Sequence, residues 1–442
     1  MLEKNYQFAD AEGRIQGSWY SKSCHIYDWV EGKDRDENFV IDTPPPTVSG
    51  KLHIGHAFSY TQCDFIARFW RMYGKNVFYP IGFDDNGLPT ERLIEKVHKV
   101  RAKDMSRAEF QDLCRKSIVG YEEEFEQLFK SLGVSFDWNF KYQTVSQRSI
   151  SLSQMSFLDL YNKGYAIKKL SATFWDWVDQ TAIAQAEIED KTRDSVMNYI
   201  HFKIDGKNDH IEIATTRPEL LAACGAVFYH PEDERYTYLD GESAVVPVYE
   251  HVVPLLPDVD VDMEKGSGLV MCCTYGDMQD VVWQERHDLP IVSCITKVGR
   301  MQNAGILDDM KVKAARAKMI EELRNSGILK DEKPISQTVK CAERSGEVIE
   351  ILPTEQWYVD LLSKKKEIAK KINECNWHPH FMSKRAEIWN DNLNQNWCIS
   401  RQRYFGVPIP VWYSKREGEE GKVLLPDLDQ LPIDPSGSSS WL

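Results

Sequence analysis

His53 and His56, with Gly55 between them, are the residues of this sequence best suited to phosphate chemistry. Each imidazole can donate a hydrogen bond to an anion, and a glycine leaves room for a nucleotide. They follow a short apolar segment, 38–41, and three prolines. They lie in the first turns of a segment with apolar residues at helical spacing, which Ser49 opens and Gly74 closes. A strand, a turn and a helix start present backbone N–H groups to a phosphate. As a lone H-x-G-H match, the histidines could equally be ordinary helix-start residues; the surrounding pattern favours function.

A second loop is predicted to lie beside the first one. The β-rich segment 76–79 predicts another short strand. The resulting β-α-β order predicts that the two strands pair in parallel through a right-handed crossover. We therefore expect an α/β fold with a doubly wound parallel sheet that binds a nucleotide. Ligands of such folds lie beyond the carboxyl ends of the strands, where the loop 82–89 also falls. Asp84 there can receive an ammonium group, although Asp-Asn-Gly is also good turn chemistry.

Composition excludes several classes of protein. The 442 residues predict two or three domains, and 42% hydrophobic content excludes a disordered chain. A formal charge of −14 argues against a protein that binds nucleic acid without regard to sequence, though not against a local basic groove. Ten cysteines without a C-x-x-C pair indicate free thiols. No signal-peptide core and no run of roughly twenty apolar residues is present, so we predict a cytoplasmic protein that does not enter a membrane.

Periodicity divides the chain into predicted domains. A capping box, Ser106 to Glu109, begins a predicted core helix that ends at Gly133, and another helix runs from near Ser146 to Asn162. The apolar stripe predicted to be buried in the first helix is Phe110, Leu113, Cys114, Ile118, Tyr121, Phe125, Leu128 and Leu132. Strand-like segments predominate from about 195 to 335. The predicted boundaries are a 1–37 extension, a 38–194 first half of the nucleotide-binding domain, a 195–335 β-rich insert, and a 336–442 return to the first domain.

Residues 44–57, Pro-Pro-Pro-x-x-x-Gly-x-Leu-His-Ile-Gly-His-Ala, resemble the first signature of the class I aminoacyl-tRNA synthetases. The resemblance implies a Rossmann-like catalytic domain in which Thr47, His53, Gly55 and His56 bind ATP. It further implies that His53, Gly55 and His56 are catalytic, stabilising the pentavalent phosphate as an amino acid attacks it. Such transfers are catalysed mainly by positioning and charge stabilisation.

Two further blocks resemble the same family. Residues 79–91 are similar to the loop that holds the α-amino group in enzymes for aliphatic amino acids. This implies that Asp84 pairs with the ammonium and that Pro45 helps to wall the side-chain pocket. Residues 396–410 resemble a third block, which implies that Trp397 lines the active site. Without the family, Trp397 would be interpreted as a core aromatic.

The insert is similar to the editing domain of the valine, isoleucine and leucine branches, which hydrolyses wrongly charged tRNA. The residues that the resemblance implies for editing are Thr215, Thr216, Arg217, Asp277 and Asp280. The threonines would hold the ester and the terminal ribose, and one of the two aspartates would bind the free amino group. Taken singly, a strand end at Thr215 and a helix N-cap at Asp277 are equally good interpretations.

The loops most resemble the valine branch. This implies ATP as a substrate with Mg²⁺, valine and tRNA(Val) as partners, a monomer, and no binding of DNA. Threonyl-tRNA(Val) would be the substrate of editing. The alternatives are an isoleucine or leucine enzyme, a fragment that retains only proofreading or tRNA binding, and a nucleotide-binding protein of unrelated purpose.

Two departures from the family carry further expectations. Some relatives bind zinc through C-x-x-C pairs at the junctions of the insert, where this chain has Asp176 and Asp179 and then Cys341 alone. One cysteine cannot build a four-ligand site, so we predict no structural zinc. The second family signature, Lys-Met-Ser-Lys-Ser, does not occur, nor does a helical anticodon-reading domain. We therefore expect the first half of a longer enzyme.

Overall fold

The computed structural model describes residues 7–19, 27–48 and 50–437. Ser49, predicted to open the helical segment, lies outside the described residues, as do 1–6 and 20–26 of the predicted extension and 438–442 at the end. The chain divides into two compact units, one of residues 1–159 and 403–442 and the other of residues 160–402. The predicted domain boundaries at 195 and 335 remain a prediction.

The helices of the described ranges are α1 (Phe8–Trp19), α2 (Ile54–Met72), α3 (Leu88–His98), α4 (Arg107–Leu132), α5 (Gln147–Asn162), α6 (Met278–Arg286), α7 (Val312–Asn325), α8 (Lys365–Glu374) and α9 (Met382–Asp391). The strands are β1 (Asn38–Val40), β2 (Asn76–Phe78), β3 (Ile81–Phe83), β4 (Lys141–Gln143), β5 (Ala166–Asp176), β6 (Thr181–Ala182), β7 (Ile188–Ile204), β8 (His210–Thr215), β9 (Ala226–Tyr229), β10 (Ser243–Val245), β11 (Val252–Pro257), β12 (Leu269–Cys272), β13 (Leu329–Ala342), β14 (Glu350–Val359), β15 (Trp397–Cys398), β16 (Trp412–Tyr413) and β17 (Val423–Leu424). None of these helices combines the length and the apolarity that a bilayer span requires.

The first unit contains the predicted β-α-β element. β1 and β2 pair in parallel with Phe39 opposite Val77, and α2 connects them. β3 and β4 form a second parallel pair, with Gly82 opposite Tyr142. The α/β class is confirmed, and in the described residues these parallel strands occur as two pairs rather than as one continuous sheet.

The helix α2 ends next to Gly74, as the sequence predicts, but it begins at Ile54 rather than at Gly50, and its buried face was not foreseen. The apolar residues at helical spacing are exposed side chains: Ile54, Phe58, Phe65, Phe69 and Met72. The buried face carries Tyr60, Asp64 and Ala67 instead. Asp64 accepts hydrogen bonds from the Ser135 backbone N–H and from Arg68 Nε, both at 2.7 Å. These bonds satisfy the buried carboxylate and fix which side of the helix faces inward.

The core stripe predicted for α4 is correct in its first turns and wrong at its end. Phe110, Cys114, Ile118 and Phe125 are buried, whereas Leu128 and Leu132 are 39% and 53% exposed. Phe129 takes their place, because it packs edge-on against Tyr60 and Phe136. The helix α1 was missed altogether, since residues 1–37 show little apolar periodicity.

The second unit is built mainly on antiparallel strands, with β9 and β11 as a parallel pair. Its larger sheet has the order β12-β9-β11-β10-β7-β13, with β8 also paired to β7. Within the range 195–335, where the sequence predicts strand-like segments, residues 198–204 and 211–214 lie in β7 and β8, and β7 begins earlier, at Ile188. Of the apolar segment 244–248, only residues 244 and 245 are in a strand, β10, and a turn follows. A smaller sheet has the order β15-β14-β5-β6. The helices α6 and α7 lie within the same range of the sequence as these strands.

Candidate functional site

A cavity in the first unit lies between the proline turn and the start of α2. It has an empty volume of about 950 Å³ that includes open solvent. The residues that line it are Thr43, Pro44, Pro45, Pro46, Thr47, His53, Gly55, His56, Ser59, Tyr60 and Cys63. The structure thus brings together Pro45, Thr47, His53, Gly55 and His56, all of which the sequence singled out.

The two histidines cap α2 and are held in one tautomer. His53 is the N-cap, and its Nδ1 accepts a hydrogen bond from the Gly55 backbone N–H at 3.1 Å. The Nδ1 of His56 accepts one from the His53 backbone N–H at 3.3 Å. A ring nitrogen that accepts carries no hydrogen, so each neutral ring carries its hydrogen on Nε2. Burial, and then His53, whose ring lies 4.1 Å away, lower the pKa of His56.

Gly55 serves the histidine as well as the cavity. A Cβ at this position would lie 2.9 Å from Cε1 and 3.0 Å from Nδ1 of the His53 ring. Any larger residue would therefore push the ring out of its capping position. Glycine at position 55 leaves room for a nucleotide, and this contact within the chain is a second reason for glycine there.

Asp84 lies next to the cavity wall through its backbone. Its N–H donates to the Pro46 carbonyl at 2.9 Å, and its own carbonyl accepts from the Val48 N–H at 3.1 Å. The loop after β3 therefore runs alongside the proline turn, as the parallel arrangement predicted. The Asp84 carboxylate accepts from Thr144 Oγ1 at 3.1 Å and from the Asn86 N–H at 3.3 Å. Both loops meet at one edge of the unit.

In the second unit, Arg217 connects the two loops predicted for editing. Its guanidinium lies 3.1 Å from Glu219 and 2.9 Å from Glu350, and Nη1 donates to the Gly276 carbonyl at 3.4 Å. Glu219 also pairs with Arg316 at 2.7 Å. Burial raises the pKa of Glu350. Burial by itself would lower the pKa of Arg217, but Glu350 and Glu219 outweigh it and raise that pKa. Arg217 is thus held in place by Glu219, Glu350 and the Gly276 carbonyl, next to Asp277.

The remaining editing residues differ in accessibility. Asp277 is exposed at the start of α6, where its Oδ1 accepts from the Asp280 N–H at 2.9 Å. Asp280 is 7% exposed and accepts from the Cys273 N–H at 3.3 Å, and burial raises its pKa to about 7. Thr215 is buried, with its hydroxyl accepting from the Arg217 N–H, while Thr216 is partly exposed. Asp277 and Thr216 are therefore the two of this set best placed to meet a ligand.

Comparison with known proteins decides the family. The family model described as tRNA synthetases class I (I, L, M and V) matches residues 14–428. The chain belongs to the class I tRNA synthetases. The named valine--tRNA ligase of Rickettsia conorii is 53% identical over 434 residues, which cover 98% of this chain and 53% of that protein.

Two further proteins are similar to nearly the whole chain. The valine--tRNA ligase of Wolbachia pipientis wMel is 49% identical over 495 residues, covering 99% of this chain and 57% of its own length. A solved ternary complex of LeuRS from Agrobacterium radiobacter K84 with tRNA and LeuAMS has a TM-score of 0.45 at 19% identity, covering 97% of this chain and 53% of that one. The chain spans a little over half the length of the curated relatives it matches.

Trp397, from the third block of this class I synthetase chain, is not a core aromatic. It is 52% exposed and stands in β15, opposite Val359 of β14 in the second unit. Burial therefore does not account for this large aromatic side chain. Its role in lining an active site stays a prediction.

Glu91 is a buried group of this synthetase chain that sequence reasoning missed. Its carboxylate is fully buried in α3 and accepts from the backbone N–H groups of Tyr404 and Phe405, at 2.7 and 2.5 Å. Arg403 Nε donates to the other oxygen at 2.5 Å. These bonds tie the 403–405 segment to the helix that follows the Asp84 loop. Pairing across 312 residues leaves no local signal in the sequence.

Glu91→Gln should lower the free energy of unfolding of the first unit by about 2 kcal/mol, because charge-assisted hydrogen bonds to a buried group weaken. The NH₂ group of the new amide side chain would also face N–H groups, which are donors themselves and cannot accept a hydrogen bond from it. Urea unfolding measures the loss. Glu123→Gln, an exposed position on α4, should change the same value by less than about 0.5 kcal/mol. Equal effects of the two substitutions would contradict the assignment.

Proposed function

We propose that this chain is the part of a valine--tRNA ligase that holds the first half of the activation site and the editing site. The observation that carries the proposal is the cavity where the capping histidines meet the proline turn, with the Asp84 loop paired alongside. Two relatives named valine--tRNA ligase, which are 49% and 53% identical and match 99% and 98% of the chain, support the proposal. The isoleucine and leucine branches are the alternatives that an assay must separate.

In the proposed activation step, a valine carboxylate oxygen attacks the α-phosphorus of ATP. A P–O bond to the carboxylate forms, the bond to the pyrophosphate oxygen breaks, and pyrophosphate leaves with its electron pair. Negative charge builds on the equatorial oxygens of the α-phosphate, where fixed donors are most effective. The Nε2–H groups of His53 and His56 supply such donors, and the start of α2 adds its dipole. Mg²⁺ enters with ATP as part of the substrate.

Asp84 would bind the valine ammonium. Its carboxylate is held by Thr144 Oγ1 and the Asn86 N–H, both neutral donors that leave its charge uncompensated. Pro45 lines the cavity and would contact the valine side chain, and Thr47 would contact ATP. Transfer of the valyl group to the 3′ end of tRNA(Val) would follow in the cytoplasm. Trp397 is retained as a candidate active-site residue.

Editing follows from the limits of the first pocket. A pocket that fits valine cannot strongly reject threonine, which replaces a methyl by a hydroxyl; the valyl and isoleucyl enzymes are the standard example of this limit. We propose that Thr216 and Asp277 of the second unit hold the aminoacyl ester. The hydrogen bond from Arg217 to the Gly276 carbonyl, which joins the two loops, supports this. We propose Asp277 as the ligand of the free amino group, with Asp280 beneath it and Thr215 shaping the loop.

The editing proposal predicts that this chain hydrolyses threonyl-tRNA(Val) faster than valyl-tRNA(Val). Asp277→Asn keeps a good helix cap but loses the charge, so hydrolysis should slow by roughly tenfold to a hundredfold. Release of labelled threonine measures the rate. Asp209→Ala, at an exposed turn of the same unit, should leave it unchanged. No selectivity for threonine would count against the valine assignment of this unit, and amino-acid-dependent pyrophosphate exchange tests the activation proposal.

A further inference from the structure

Asp85 and Glu122 form a buried pair of carboxyl side chains beside Asp84. Asp85 follows Asp84 in the loop after β3 and is fully buried, and Glu122 of α4 is 6% exposed. Neither carboxyl oxygen of Asp85 receives a hydrogen bond from an N–H or O–H group of the described residues. Its side chain lies within hydrogen-bonding reach of Glu122 instead. Two acidic groups from different elements thus meet out of contact with water.

The groups around the pair do not neutralise two negative charges. Gln143 of β4 donates through Nε2 to both oxygens of Glu122, at 2.6 and 2.7 Å. The cation that acts on Glu122 is Lys141, which itself lies 2.8 Å from Glu126 on the same helix. Asp84 adds a further negative charge from the loop. Glu126 is also paired with Lys130, at 2.5 Å, so two lysines serve a group of four carboxyls.

Two buried carboxylates in contact do not both ionise at neutral pH, because each like charge disfavours the other. Burial, with Glu122 as the next cause, raises the pKa of Asp85 to about 8. Burial also raises the pKa of Glu122. A single proton between the facing oxygens supplies the donor that the pair otherwise lacks.

We propose that Asp85 and Glu122 share one proton and act as a positioning pair that fastens the Asp84 loop to α4. The Asp85 N–H donates to Thr144 Oγ1 at 3.0 Å, and the same hydroxyl donates to Asp84 Oδ1 at 3.1 Å. A shift of Asp85 would therefore displace the carboxylate proposed to meet the substrate ammonium. The link to substrate binding rests on the proposed function, and the shared proton does not.

Urea unfolding at a series of pH values tests the shared proton. Between the ordinary carboxyl pKa and the raised one, the folded chain holds one more proton than the unfolded chain, so its stability falls as pH rises. Asp85→Asn cannot bind that proton. The unfolding constant of the wild-type chain should therefore rise, relative to Asp85→Asn, by up to about tenfold per pH unit from about pH 5 to about pH 8. Glu124→Gln, exposed on α4, should follow the wild type, and parallel wild-type and Asp85→Asn curves would overturn the proposal.

Amide hydrogen exchange at residues 84–87 tests the positioning role. The amide of Asp85→Asn can donate to Glu122 as a protonated carboxyl does, so this variant should keep the protection of the loop at pH 7. Asp85→Ala removes the donor, and its loop should exchange faster by about tenfold or more. Equal exchange in the two variants would overturn the positioning role.

Valine affinity of the same variants connects the pair to the proposed function. Asp85→Ala should weaken binding, and Asp85→Asn should restore most of it. If the wild-type chain binds no valine, the proposed function fails, whereas the unfolding and exchange measurements still decide on the pair. If valine binds equally to Asp85→Ala and to the wild type, the pair does not position Asp84.

Discussion

Replacing His56 with alanine should slow valine-dependent exchange of pyrophosphate into ATP by roughly 10²–10³-fold, the usual loss for one transition-state donor. The donor is defined by the structure: Nδ1 of His56 accepts from the His53 N–H, which leaves Nε2–H to act on a phosphate oxygen. Burial lowers the pKa of His56, so the ring is neutral at pH 7 and donates without carrying charge. The assay uses a form of the protein that is as long as its relatives.

Two controls separate this effect from a loss of structure. His98→Ala removes an exposed histidine of the same unit and should leave exchange unchanged. His56→Asn offers an acceptor for the His53 N–H, so it should recover helix capping more than catalysis. A slowing of less than about threefold in His56→Ala would contradict a direct role, since one lost catalytic donor costs far more.

Glu350→Ala should lower the free energy of unfolding of the second unit by about 3–5 kcal/mol, because it leaves a largely buried guanidinium short of its partner. The Glu350 side chain is 5% exposed and that of Arg217 is 21% exposed, and two hydrogen bonds of 3.2 and 2.9 Å join them. Glu219 cannot take over the whole charge, because it also serves Arg316. Urea unfolding measures the loss.

The same strand offers a matched control. Glu355 of β14 pairs with Lys168 at 2.9 Å, but its side chain is 63% exposed. Glu355→Ala should therefore cost no more than about 1 kcal/mol. Glu350→Ala should also slow threonyl-tRNA hydrolysis, because Arg217 holds the Gly276 carbonyl next to Asp277. Equal losses of stability at 350 and 355 would contradict a buried ion-pair network.

The elements that the sequence predicted correctly depend on local signals. The capping box of α4 is confirmed, with Ser106 Oγ accepting from the Glu109 N–H at 3.3 Å. The strand, turn and helix around His53 are confirmed as well. Prolines and helix-start residues determine the backbone conformation of their near neighbours, so a short stretch of sequence is enough to predict these elements. The sequence also predicted that the loops of His53 and Asp84 lie side by side. Loops that follow parallel strands meet at the same edge of a sheet, and this depends only on the order of the elements.

What could not be predicted depends on partners far apart in the chain. The inward face of α2 follows from Asp64 and Ser135, which are 71 residues apart. Glu350 reaches Arg217 across 133 residues, and Glu122 meets Asp85 only after α4 has packed. In a sequence such glutamates look like solvated helix or strand positions, because their burial is decided by tertiary contacts.

The most direct measurement is exchange of labelled pyrophosphate into ATP with valine, isoleucine and leucine compared in parallel, in the protein at the full length of its relatives. We expect valine to support the fastest exchange, and we expect His56→Ala to remove most of it while His98→Ala does not. Faster exchange with isoleucine or leucine would contradict the valine assignment. Undiminished exchange in His56→Ala would contradict the site itself.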